Sequence, residues 1–176
     1  MTGRIASLAF ALVLAACATP APKPTPPPEL TGIPKAFEMN ARVSIRVADR
    51  SDIARLRWVR RPGSDEWVFS SPIGTEVARI ESNARGATLF RGGLEPEAAE
   101  SFEALTERAL GVGLDPAQLS AWLHGQPGRT GLPAEWKVSV EEKQQAGAVE
   151  LAKRITAIRG DVVVKLVVDS YRPLEE

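Results

Sequence analysis

Phe37-Glu38-Met39-Asn40-Ala41-Arg42-Val43-Ser44-Ile45-Arg46-Val47 alternates without a break. Phe37, Met39, Ala41, Val43, Ile45 and Val47 fall on one face of an extended chain, and Glu38, Asn40, Arg42, Ser44 and Arg46 fall on the other. A strand sends successive side chains to opposite sides of its sheet, so a period of two with one apolar face predicts a half-buried antiparallel strand. The turn Ala48-Asp49-Arg50-Ser51 leads into a partner with Ala54, Leu56 and Trp58 inward and Arg55 and Arg57 outward. Three more runs follow: 66–70 with Trp67 and Phe69 on one face, 75–81 with Ala78 and Ile80, and 87–91. Consecutive strands joined by short turns predict a meander.

The middle of the chain reads as helical. Glu97 to Leu110 places Ala98, Phe102, Leu105 and Ala109 on one stripe, with Pro96 suited to the first helical position and Gly111 to the stop. Asp115 suits the cap of a second helix that starts at Pro116, buries Leu119, Trp122 and Leu123, and ends at Gly125 and Pro127. Strands then return. Trp136, Val138 and Val140 alternate with polar residues, 151–158 is a weaker run, and Val162, Val164, Leu166 and Val168 share a face. With no βαβ rhythm, the pattern predicts a mainly β, α+β fold: an antiparallel sheet with helices on one side. The inward face mixes Ala41, Ala54, Ala78 and Ala87 with larger residues such as Val43, Leu56, Trp58, Ile80 and Leu89. Small residues among large ones either leave a hollow in a curved sheet or belong to a dry, filled core.

The N-terminus sets the compartment. Arg4 precedes an apolar run from Ile5 to Ala15, far shorter than the roughly 20 residues of a membrane-spanning helix. Leu14-Ala15-Ala16-Cys17 follows: a branched apolar residue, two small ones, and the chain's one cysteine. These are the parts of a secretory signal ending in a bacterial lipobox, with residues 1–16 removed and Cys17 lipidated. A lone cysteine has no disulfide partner within the chain. Three acyl chains on Cys17 make a permanent anchor where one holds only marginally. Residues 17–36 form the lipidated start and a linker that carries half of the 14 prolines. At about 3.1 Å per residue in polyproline II, the linker's reach is roughly 50 Å. Residues 37–176 are the folded domain.

The charge balance is even, 22 basic against 22 acidic residues, which gives no basic excess to recruit nucleic acid. Arg55, Arg57, Arg60 and Arg61 cluster locally and read as a solvated outer surface, with anionic headgroup contact as the other option. Signatures of catalysis are missing. His124 is the one histidine and reads as a helix-end packing residue, so no ordinary zinc set can form. There is no Gly-x-Ser-x-Gly elbow and no glycine-rich phosphate loop after a strand, and Ser70 and Ser71 have no evident base. Neither an enzyme nor a metal or cofactor site is expected.

Several stretches together resemble the LolB family of outer-membrane lipoprotein receptors. They include Asn40-Ala41-Arg42-Val43-Ser44, Ala54-Arg55-Leu56-Arg57-Trp58 and Ser70-Ser71-Pro72-Ile73-Gly74. Gly86-Ala87-Thr88-Leu89, Leu119 to Pro127 and Lys165 to Tyr171 complete the set, which spans Phe37 to about Tyr171. The chain departs from the family in its long Pro-rich start, in the compact 127–136 stretch, and at Tyr171, where the family often has Trp. The resemblance implies an unclosed antiparallel β-barrel covered by helices, with a hydrophobic cavity for acyl chains. The lining is then expected from Val43, Ile45, Leu56, Trp58, Phe69 and Ile80, and from Leu89, Phe102, Trp122, Trp136 and Leu166. It also implies an outer-membrane sorting signal at Ala18, a membrane-inserting loop at Pro72, Ile73 and Gly74, a monomer, and delivery of cargo by a LolA-like periplasmic carrier. The competing expectation is a structural or scaffolding envelope lipoprotein with no lipid cavity.

Overall fold

The computed structural model describes residues 32–126 and 136–175; the signal, Cys17, Ala18, most of the linker and Pro127 lie outside them. Six strands come first: β1 (Phe37–Val47), β2 (Arg50–Arg61), β3 (Ser64–Ser70), β4 (Glu76–Asn83), β5 (Gly86–Arg91) and β6 (Glu97–Ala99). Helices α1 (Phe102–Leu110) and α2 (Pro116–Leu123) follow, then β7 (Lys137–Ala146), β8 (Val149–Arg159) and β9 (Val162–Pro173). All strands join one antiparallel sheet in the order β6-β5-β4-β3-β2-β1-β9-β8-β7. The alternating stretch that opens the domain is therefore an interior strand, bonded to β2 on one side and β9 on the other. β6 and β7 are the two edges, so the barrel stays unclosed.

The first helix starts later than its apolar stripe suggests. Glu97–Ala99 pairs with β5 as a short edge strand, and Ala98 and Pro96 take no part in a helix. Ser101 is the true cap: its Oγ accepts from Ala104 N at 3.0 Å, and left-handed Gly111 ends the helix by donating to Glu107 O at 2.8 Å. A serine cap satisfies an orphan amide, which Pro96 cannot do. Gly86 makes the edge possible. At φ +139° a Cβ there would stand 2.4 Å from Ala99 O, so only glycine lets β6 approach. α2 begins as predicted, with Asp115 accepting from Ala117 N at 2.6 Å.

One irregularity redirects the last strand. β9 carries an extra residue opposite Asn40/Ala41, so Ala41 faces Val168 while Asn40 faces Ser170. Strict alternation would send Tyr171 outward. The bulge returns it to the inner face, where its ring lies 5.2 Å from Phe37 and 5.6 Å from His124.

Inward burial is graded along β1. Phe37 and Met39 are 0% exposed, Val43 is 6% exposed, and Ile45 and Val47 are only half-buried. The sheet is thus packed at one end and open at the other. Removing the Phe37 ring from the packed end, in Phe37→Ala, is expected to lower unfolding free energy by about 3–5 kcal/mol. Ile53→Ala, at an exposed position, should change it by less than about 0.5 kcal/mol. Urea midpoints at constant m-value measure both.

Candidate functional site

A line of rings closes the packed end. Phe102 stacks on Trp67 at 4.9 Å, Trp67 on Trp58 at 4.0 Å, and Trp58 meets Phe37 edge-on at 4.8 Å. Tyr171 and His124 continue it from Phe37. These rings come from β1, β2, β3, β9, α1 and the end of α2, so the floor is also where lid and sheet are joined. Trp58 Nε1 donates to Asp65 at 2.7 Å. The Trp67 Nε1–H is buried with no acceptor among the described residues.

Arg60 is half-buried and does not belong to a solvated outer surface. It shares the inward parity of Trp58, its guanidinium lies 5.9 Å from that ring, and Nη1 donates to Pro116 O at 2.7 Å. It thereby holds the start of α2 over the floor. Arg57 does face outward, donating to Glu38 at 2.8 Å and Glu66 at 3.0 Å. Thr106 ties the helices together: its Oγ1 accepts from Leu114 N at 2.9 Å.

Above the floor, between sheet and helices, lies a cavity of about 460 Å³. Val43, Ile45, Leu56, Trp58 and Phe69 line it from β1, β2 and β3. Ile80, Leu89 and Leu166 add β4, β5 and β9, and Phe102 and Trp122 add the helices. Trp136 stands apart. It packs edge-on against Trp122 at 5.4 Å, on the side where α2 covers β7 and β8, and backs the wall from behind. Met39, Leu105, Leu119 and Val164 join the lining and were already on predicted inward faces. Leu110, Leu114, Ile155 and Ala157 also join it.

Two charged residues line the cavity, Asp52 on β2 and Arg91 on β5, both exposed and both at the end opposite the floor. They mark the mouth. Alternation locates them: each lies two positions beyond a predicted inward residue, Ala54 and Leu89. Arg91 pairs there with Glu97 of β6. The loop 71–75 projects from the same end. Gly74 N donates to Ser71 O at 2.9 Å, Ser71 N to Thr75 O at 2.7 Å, and Gly74 sits at φ +94°. This tight loop presents Ile73 at 91% exposure, so the side chain is not folded back onto the core.

The geometry defines a class: an open, lidded β-barrel with a blind apolar cavity. The family model described as outer membrane lipoprotein LolB matches residues 35–171, and the chain belongs to that family. An outer-membrane lipoprotein LolB of Thiobacillus denitrificans is 30% identical over 183 residues, covering 96% of this chain and 95% of the relative. The LolB of Azoarcus sp. is 29% identical, covering 93% and 91%. That of Chromobacterium violaceum is 27% identical, covering 98% and 100%. A solved LolA superfamily protein from Nitrosomonas europaea aligns at a TM-score of 0.42 and 9% identity over 81% of this chain and 87% of its own, a likeness too slight to bear on function. The protein is an outer-membrane lipoprotein of the lipoprotein-transport system.

His124 also links lid to sheet through both ring nitrogens, Nδ1 to Ser120 O at 2.7 Å and Nε2 to the Tyr171 hydroxyl at 2.9 Å. Burial pushes its pKa below the ordinary 6.5, against the Ser120 carbonyl that favours the charged ring. A lowered folded-state value means the neutral form is favoured on folding. Its contribution is complete above pH 6.5 and lost as pH falls through the lowered value. Asp65 runs the other way: burial raises its pKa above 3.8, so its share of stability declines as pH rises from there. Between about pH 6.5 and pH 5 the wild-type Tm should therefore fall more steeply than that of His124→Gln. Thermal melts across that range provide the check.

Proposed function

We propose that this protein accepts lipoproteins from a LolA-like periplasmic carrier, shelters their acyl chains in the cavity, and inserts them into the outer membrane. The observation that carries this reading is an apolar hollow, blind at the aromatic floor and open beside a protruding Ile73. In this reading Cys17 is the lipidated residue and Ala18 directs sorting. Pro72, Ile73 and Gly74 form the inserting loop, the lining residues named above hold the chains, and the protein acts as a monomer.

The physical need for shelter is large. Three chains expose about 45 methylenes, worth on the order of 35 kcal/mol at ~0.8 kcal/mol each. No free hop through water crosses that, so the tails must pass between apolar surroundings. No nucleotide site is invoked: transfer runs on differential affinity, and the cavity must grip less tightly than the bilayer releases.

Size sets the order of events. An apolar cavity of about 150 Å³ accommodates benzene, six carbons. By the same ratio, about 460 Å³ holds on the order of eighteen carbons, one long acyl chain. Uptake of all three requires the helices to lift from the sheet, or the second and third chains to lie across the mouth.

Ile73 contributes about 1.5–3 kcal/mol when it enters apolar surroundings, enough to orient a domain already held by its anchor. The test is reconstitution. The lipidated protein in liposomes is offered a carrier–lipoprotein complex, and cargo transfer is followed. Wild type should take and insert cargo. Ile73→Glu should fold with an unchanged Tm and lose most insertion. An apolar fluorescent probe should enter the cavity and be displaced by a lipidated peptide. A scaffold with a filled core would take up no probe, and unchanged insertion by Ile73→Glu would remove the role given to that loop.

A further inference from the structure

The large apolar side chains left exposed among the described residues are Ile53, Ile73, Val77, Leu94 and Ile158, and all lie at the mouth end. Ile53 and Val77 stand near the starts of β2 and β4, and Ile158 near the end of β8. Ile73 and Leu94 occupy the connections 71–75 and 92–96. The floor end, with its connections at 62–63, 84–85 and 147–148, carries none of them. Ile53 and Ile158 lie on the outer face of the sheet, opposite Ser44 and Val163, and scattered exposed apolar residues of that kind need no explanation; two apolar loop tips, Ile73 and Leu94, side by side on the rim of one opening do.

Leu94 is 61% exposed in Gly92-Gly93-Leu94-Glu95-Pro96. Gly93 takes a left-handed φ of +74°, and Leu94 N donates to Arg91 O at 3.1 Å, so the turn is tight and its tip is leucine. The 71–75 loop joins β3 to β4 and the 92–96 turn joins β5 to β6. The two tips are therefore separated by two strand spacings, about 10 Å, on the same rim.

We propose that Leu94 is a second membrane-seating point. With Ile73 it forms a two-pronged edge that sets the cavity mouth against the phospholipid bilayer. This rests on the functional reading above and extends it from one inserting residue to an oriented footprint. A bilayer suits the observed shape, because separate convex tips enter a fluid interface independently, whereas a protein partner needs a continuous complementary surface. The charges on this rim have mixed sign, Asp49, Glu95 and Asp161 beside Arg50 and Arg91, and offer no one-signed patch for an oppositely charged partner. The anchor's length permits the pose. β1 starts at the floor, about 36 Å from the mouth by strand rise. Fourteen residues, Ala18 to Thr31, separate Cys17 from the described residues; a chain of that length can span up to about 46 Å, which exceeds that distance, so a chain entering at the far end can still lay the mouth on the membrane that holds Cys17.

The test uses the full mature chain with Cys17→Ser, so that no acyl anchor masks weak binding, and vesicles of phosphatidylethanolamine and phosphatidylglycerol. An environment-sensitive fluorophore is placed on Leu94→Cys, Ile73→Cys or, at the floor end, Ala148→Cys. Labels at 94 and 73 should shift to the blue with vesicles and the label at 148 should not. Leu94→Glu should lower vesicle partition about tenfold, and Leu94→Phe should retain it. If the label at 73 shifts and that at 94 stays in water, the second point is wrong while the functional reading stands. If neither shifts although cargo is still inserted, the orientation underlying both is wrong. A shift at 94 with carrier protein but not with vesicles makes this edge a protein contact and overturns the proposal.

Discussion

The ring sequence Phe102–Trp67–Trp58–Phe37–Tyr171–His124 is the constraint on which the rest depends. An unclosed sheet has two free edges and no geometric reason to hold helices at a distance from its concave face. Packing at one end supplies that reason. The rings bring α1 and the end of α2 onto β1, β2, β3 and β9, and Arg60 holds the start of α2 nearby. The helices are thus fixed at the floor and spaced from the sheet above it. Offset and edge-on aromatic pairs contribute about 0.5–1.5 kcal/mol each beyond area burial, so the array stabilises the domain where burial is most complete.

The polar groups at that end serve the same purpose. Asp65 accepts from Trp58 and sits near Arg60, and burial makes its ionisation costly. His124 fills the gap between Ser120 and Tyr171. The outer face needs less. Glu38, Arg57 and Arg172 form a ladder across β1, β2 and β9 that holds the Glu38 carboxyl below its ordinary pKa, chiefly through the Arg57 hydrogen bond. Its arginines are well exposed, and pairs of that kind contribute little to stability.

Alternation, unbroken in residues 37–47 and repeated in the runs beside them, made the interior strand β1, its inward face and most of the cavity wall legible. Side chains of a sheet have no freedom to choose sides. Features set by one extra or one missing residue were not legible. The β9 bulge reverses parity after Val168, and nothing local to Asp169-Ser170 announces it. The apolar stripe from Ala98 to Ala109 fits a helix by period, yet Gly86 opens space for an edge strand instead; two elements distant in sequence decide the matter. Trp136 has the right parity but stands behind Trp122, because depth along a wall is a tertiary property. Arg60 shows the reverse case: its parity was inward, and the charge suggested otherwise. Long cationic side chains can bury their stems and still reach an acceptor.

A cavity that must give up its contents cannot also be an ideal solvent for them. Under the proposed function, a chain moving from hollow to bilayer exchanges one apolar environment for another. The ~0.8 kcal/mol per methylene that forbids water then nearly cancels. What remains is set by packing and by polar blemishes. A wall of mixed small and large residues cannot match every position along a flexible chain as closely as fluid lipid does, and dispersion falls off steeply with small gaps. The charged Asp52 and Arg91 add polar atoms at the mouth of a wall that is otherwise almost wholly apolar. Both make the hollow a somewhat poorer host than the membrane. Imperfect fit is then what the delivery step requires: a mutation that fills the wall more closely around a bound chain would strengthen uptake and slow release, because it lowers the free energy of the bound state alone.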